Sequence, residues 1–237
     1  MPVKGLPGRY WILASIAVVA AALAGCAYRG GLDEPVTRKL SWFSYLDGDA
    51  IRASCGPGAP DRYRLVYNGD YEKQVRSYEV TDDGAGGAYL VARASRPVDL
   101  SAFSLADVQA PWRWARSTTR LSAQDRAALR QALIDSGFTA GAPAGLTLYS
   151  AGFYWVATGC MDGAFHFAAW AYPDPGFAAL TFPPVLFAAD RTGVPVNPPH
   201  PVAGDPRQER GQADERSEQR FALTVRSDGI GLLVPPL

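Results

Sequence analysis

Strand-length apolar runs punctuated by Asn-Gly and Asp-Gly turns, together with one well-capped amphipathic helix, predict an α+β domain. Its expected form is mainly antiparallel β-sheet with one main α-helix, at about 122–137, packed on it. The helix is the clearest element. Ser122 stands at its N-cap and Asp125 three residues on, Leu129, Ala132, Leu133 and Ser136 share one face, and Gly137 ends it. A stripe that narrow needs a sheet to lie on.

The remaining elements follow in chain order. Asp49 is expected to cap a short helix running to Ser54 and stopped by Gly56 and Pro57, with Trp42, Phe43, Tyr45, Leu46 and Ile51 on the buried side. "RYRLVY", 62–67, and "YEKQVRSYEV", 71–80, read as a hairpin about Asn68–Asp70. A three-residue loop sets Tyr67 opposite Tyr71 and Tyr63 opposite Val75, which gathers the apolar residues on one face. "AYLVARAS", 88–95, is a third strand, and Trp112 and Trp114 alternate with Arg113 as in a strand or edge segment.

"GFYWVATGCMDGAFHFAAWAY", 152–172, is the strongest strand pair, turning at Asp162-Gly163. A two-residue turn puts Trp155 opposite Trp170, Phe153 opposite Tyr172 and Gly159 opposite His166. Both faces of this pair are largely apolar, so both strands are expected to be central. "FAALTFPPVLFAAD", 177–190, reads as a further strand broken at Pro183-Pro184. Residues 194–206 favour extended polyproline conformation, and 207–220 are charged and almost without apolar residues, so a polar loop is expected at about 197–219. Two short strands about Asp228-Gly229 would tie the C-terminus into the sheet.

The N-terminus has a different character. Lys4 and Arg9 precede an apolar run from Trp11 to Leu23, interrupted only by Ser15, and small residues follow. That is the layout of a secretory signal, and a run of about 13 residues falls short of the roughly 20 that a spanning helix needs. Leu23-Ala24-Gly25-Cys26 closes it. This tetrad resembles the lipobox of bacterial lipoproteins, a match confined to the first 26 residues. The resemblance implies a diacylglyceryl thioether on Cys26, cleavage before it and acylation of the new amino group. Residues 1–25 are then a signal peptide, 26–40 a tether and 41–237 a single globular domain. In Gram-negative envelopes Asp after the lipidated Cys often marks inner-membrane retention. Ala27 stands there, so outer-membrane delivery is the expectation. An ordinary signal peptide cut nearby and an uncut N-terminal anchor are the competing readings.

If Cys26 carries lipid, Cys55 and Cys160 remain as one pair in an oxidising compartment, and a disulfide is the economical reading beside two buried thiols. No metal site is expected, since neither has a second Cys or His at ligand spacing. Without Lys4 and Arg9, the 23 basic residues become 21 against 23 acidic ones, which gives no footprint for nucleic acid.

Chemistry is sparse. His200 lies in "NPPHP", a solvated linker by composition, and His166 sits mid-strand in "FHFAAW". Nucleophile-elbow, P-loop, HExxH and dinucleotide patterns are absent from the sequence, so no catalytic residue and no cofactor is assigned. The adjacent acids Asp82 and Asp83 belong to a turn, and capping accounts for Asp47 and Asp49 more simply than a cation does. The one constellation kept as a candidate binding face is Phe153, Trp155, His166, Trp170 and Tyr172: core if a helix covers it, a partner or ligand surface if not. The expected function is therefore a lipid-anchored, non-enzymatic binding or scaffolding module facing the periplasm. It meets the membrane through Cys26 and has an envelope protein or glycan as its partner class. The alternatives are an anchored hydrolase or a small-ligand carrier using the aromatic face.

Overall fold

Residues 35–95, 112–201 and 221–233 are described by the structure, a computed structural model. The chain divides into two units, Met1–Ser41 and Trp42–Leu237. Of the first, only the start of helix α1 (Pro35–Asp47) is described, and it begins inside the stretch read as tether.

In the second unit, six antiparallel strands make one sheet. They are β1 (Arg62–Gly69), β2 (Val75–Asp82), β3 (Ala88–Ala94), β4 (Ala115–Leu121), β6 (Phe153–Met161) and β7 (Ala164–Ala171), in the order β4-β3-β2-β1-β6-β7. The α+β class and its mainly antiparallel sheet are as the sequence predicts. Helix α2 (Asp49–Arg52) follows α1 on one side of the sheet, and α3 (Ala123–Asp135) lies on the other with α4 (Pro175–Ala178) and α5 (Phe182–Ala189). Serine 122 and Asp125 form the full capping box, and Leu129, Ala132 and Leu133 are buried.

One face of the sheet carries the main core. Tyr63, Leu65, Tyr67, Tyr78, Val80, Leu90, Trp155 and Ala157 meet Leu129 and Leu133 of α3, Phe138 of a 3₁₀ turn, and Phe182 and Leu186 of α5. Full burial of each such aliphatic or phenyl side chain contributes roughly 1.5–3 kcal/mol. On the opposite face Trp42, Tyr45, Leu46 and Ile51 are buried.

The β6–β7 register is the one read from the sequence: Trp155 faces Trp170 and Gly159 faces His166. Asp162 (φ 53°) and Gly163 (φ 75°) both take the left-handed backbone that a two-residue turn requires. Only β6 is central, however. It is buried at all nine positions, whereas β7 is an outer strand with half-buried residues at both ends.

The first hairpin departs from expectation. Tyr63 pairs with Val80 and Asn68 with Val75, so the loop is Asp70–Gln74 and the register moves by five residues. Asn68 and Gly69 look like turn residues, yet they extend the strand, because the Asn68 amide donates to the Ser150 and Gly152 carbonyls (2.9 and 2.6 Å). The turn is instead made at Asp70 (φ 63°), whose carbonyl accepts from the amides of Lys73 and Gln74.

Residues 177–190 also correct the reading: the span expected to be a strand holds the end of α4 and all of α5. Pro183 and Pro184 fall in the first turn of α5, where a missing amide hydrogen costs nothing, so they start a helix rather than break a strand. Asp49 is the first residue of α2 and Gly48 its cap. Finally, β8 (Ala222–Val225) and β9 (Ile230–Leu233) pair with β5 (Thr147–Tyr149) in a separate three-stranded sheet instead of joining the large one. Ile230 donates to the Asp47 carboxylate (2.7 Å) and Arg52 to the Asp228 carbonyl (2.6 Å), which ties this hairpin to α1 and α2.

Cys55 and Cys160 form a disulfide, with Cα atoms 5.5 Å apart and a sequence separation of 105. It joins the segment after α2 to the end of β6. Closing so long a loop restricts the unfolded chain by about 4–5 kcal/mol in the chain-entropy account.

Candidate functional site

The aromatic constellation shares one face, as its spacing requires, and is covered from above. Phe153 and Trp155 are core residues at 2% and 1% exposure, while His166, Trp170 and Tyr172 are half-buried along β7. The cover is not mainly the 122–137 helix but the proline-started α5. Phe182 lies 5.1 Å from Trp155 edge-on and 5.5 Å from Trp170, Phe187 lies 5.9 Å from Trp155, and Phe177 of α4 meets Tyr172 at 5.7 Å. Such edge-to-face and tilted pairs fix rings in place beyond their area of contact.

His166 packs against Phe138 (5.6 Å) opposite Gly159. That glycine is a steric requirement, since a Cβ there would stand 2.8 Å from the Tyr63 ring and 2.9 Å from the Arg62 carbonyl oxygen. A phenyl neighbour orients an imidazole without supplying the carboxylate or hydroxyl that a nucleophilic mechanism needs. His200 is exposed, lies edge-on to Phe153 (4.7 Å) and has Nδ1 3.0 Å from the Pro198 carbonyl oxygen.

Two buried charge clusters were not singled out from the sequence. In the first, Arg76 (1% exposed) reaches Asp190 (6%) at 2.5 Å and also donates to Gln74 Oε1 and the Val194 carbonyl; Tyr78 donates to the same Asp190 oxygen (2.9 Å). Gln74 donates to the Pro195 carbonyl and accepts from the Asn197 amide, while the Asn197 side chain donates to Gly69 and its carbonyl accepts from Tyr67. Residues 190–197, of which 194–197 are read from the sequence as the start of an extended segment, are thus a strap fixed by six side chains: Tyr67 of β1, Gln74 of the following loop, Arg76 and Tyr78 of β2, and Asp190 and Asn197 of the strap itself. Burial pushes the Asp190 carboxyl up, but hydrogen bonds from Thr192 and Tyr78 and the Arg76 charge outweigh it, leaving the group below the ordinary carboxylate range.

The second cluster lies under α1. Arg64 donates twice to Glu79 Oε1 (3.1 and 2.8 Å) and Arg93 to Oε2 (3.1 Å). Arg64 also donates to the Tyr45 carbonyl and stacks 3.7 Å above the Tyr45 ring, whose hydroxyl meets Ser77. Burial raises the Glu79 carboxyl, and the two guanidinium groups pull it down further than burial lifts it. The available signal was an arginine at an inward position of an otherwise apolar strand, as at Arg64 and Arg76.

The acids of the sequence have structural occupations. Asp83 binds Arg120 (2.9 Å) and accepts from the Ala85 and Gly87 amides, Asp82 pairs with Arg126, and Asp49 accepts from Ser44 (2.6 Å). Among the described residues no group of three His, Cys, Asp or Glu side chains is placed to hold a metal ion, and no helix is long and apolar enough to cross a membrane. Cys26 and the rest of the lipobox lie outside the described residues. Neither a family model, nor a curated protein, nor a solved structure matches this chain.

Proposed function

We propose that this chain is a lipid-anchored cell-envelope protein whose body is a non-enzymatic binding or scaffolding module. Leu23-Ala24-Gly25-Cys26, placed at the end of a 13-residue apolar run behind Lys4 and Arg9, carries the reading. The cysteine pairing supports it: Cys55 and Cys160 are bonded to each other, as suits an oxidising compartment, which leaves Cys26 as the remaining thiol. Two or more acyl chains at about 0.8 kcal/mol per buried methylene give stable attachment without a spanning helix. Ala27 in place of Asp favours the outer membrane, with the body facing the periplasm. The non-enzymatic half is supported by the occupations of the charged side chains, since Asp61, Glu79, Asp83 and Asp190 are each held by arginine.

The test is fractionation of intact cells expressing the full chain or Cys26→Ser, followed by crosslinking in the envelope. Wild type should sediment with membranes and Cys26→Ser should lose membrane attachment through acyl chains, while an envelope protein or glycan is recovered on wild type. Equal extraction of both forms by high salt would overturn the anchor, and turnover of an envelope substrate by purified protein would overturn the non-enzymatic reading.

A further inference from the structure

The strap leads into a stretch dense in proline, "VPVNPPHP", 194–201. The rings of Pro195, Pro198, Pro199 and Pro201 fix φ, and Val194, Asn197, Pro198 and His200 each precede a proline, which holds them in extended backbone. Val196 alone escapes both constraints, and it packs against the core. The cis peptide among the described residues is Tyr172-Pro173, so the bonds to these four prolines are trans. Neither helix nor strand forms over 194–201, and the local constraints select polyproline II conformation.

A segment of that kind makes no internal backbone hydrogen bonds, so its polar groups look outward for partners. On the side facing the sheet they are bound. The Val194 carbonyl accepts from Arg76 and the Pro195 carbonyl from Gln74 (2.7 Å), while the Asn197 amide donates to Gln74 (2.9 Å) and its carbonyl accepts from Tyr67 (2.6 Å). The other side is open. Pro195, Pro198 and Pro201 are exposed, as are Pro199 and His200, whereas Val194, Val196 and Asn197 are half-buried. With three residues per turn, Pro195, Pro198 and Pro201 stand along one edge. From Thr192 to Pro201 the chain has no Asp, Glu, Lys or Arg.

We propose that Pro195, Pro198 and Pro201 form a ridge that docks into a partner protein's groove lined by aromatic rings, the mode in which polyproline segments are bound. Two observations select that partner. A stretch without charged side chains offers ring shape rather than electrostatics for recognition. The inward hydrogen bonds also hold the ridge in its extended form before binding, which removes the cost of ordering it. The inference names a partner class for the binding module proposed above and rests on that reading, but not on acylation of Cys26.

The test is photocrosslinking of the full chain in envelopes of its own cells, with p-benzoylphenylalanine replacing His200 on the ridge or, in a second variant, the exposed Tyr89 of β3. Irradiation is repeated with a synthetic peptide of residues 192–201, with the same peptide carrying alanine at 195, 198 and 201, and in high salt. The ridge variant should give an adduct to another protein that the proline peptide abolishes, while the alanine peptide and salt leave it intact. Pro195→Ala, Pro198→Ala and Pro201→Ala together should abolish the adduct with circular dichroism unchanged. The peptide competition stands even if that triple variant folds poorly. An adduct from position 89 and none from position 200 overturns the ridge and leaves the binding module standing. An adduct to a second copy of this chain, or one that salt removes or the proline peptide does not, also overturns it. No adduct from either position removes the ridge and counts against the module itself.

Discussion

Arg76 and Asp190 illustrate how one buried ion pair fixes a whole segment. Both are nearly inaccessible, so removing one partner leaves a buried uncompensated charge, and Asp190→Asn should cost about 3–5 kcal/mol at neutral pH. The Asp190 carboxyl is held below its ordinary range, so its contribution is present above the unfolded value near 4 and is lost as the pH falls through the folded one. Urea midpoints for wild type and Asp190→Asn should therefore lie far apart at neutral pH and converge in acid below about 4. A constant gap across that range would show that the pair is not electrostatically coupled. At this scale the sequence was least legible. Arg76 is fixed by residues more than 100 positions away, and nothing local in "KQVRSYE" announces Asp190.

Among the elements, those set by local chemistry were readable and those set by distant partners were not. Helix α3 carries its own start and stop, and Asp162-Gly163 dictates the β6–β7 register because both residues accept left-handed backbone. Ser122→Ala should thus cost about 1 kcal/mol by removing the cap, measurable as a lowered denaturation midpoint with an unchanged slope. No change in midpoint would mean that tertiary packing alone holds the helix end. The first hairpin misled because Asn68-Gly69 carries turn chemistry while the Ser150 and Gly152 carbonyls, more than 80 residues on, recruit Asn68 into the strand. In α5 the prolines carried two opposite meanings, strand breaker and helix starter, and the apolar stretch after them suits either. Once folded, it places Phe182 and Phe187 over Trp155, so the proposed aromatic face has its cover from a segment read as something else.

For the whole molecule, the large sheet separates two polar clusters: the strap network on the core face and Arg64–Glu79–Arg93 beneath α1. The disulfide fastens the α2 end of the chain to the central strand. Fold class, cysteine pairing and the β6–β7 face could be read from residue order, because pattern and parity determine them. The work performed at the surface could not, because the charged residues that stand out by position, Arg64, Arg76, Glu79 and Asp190, pair with one another inside the fold. The proposed lipid attachment is read out by the intact mass of protein extracted from membranes. The expected species is a chain beginning at Cys26, heavier than its amino acids by a diacylglyceryl group and a further acyl chain, with Cys55 and Cys160 oxidised. A mass matching unmodified polypeptide, cut or uncut, would contradict it.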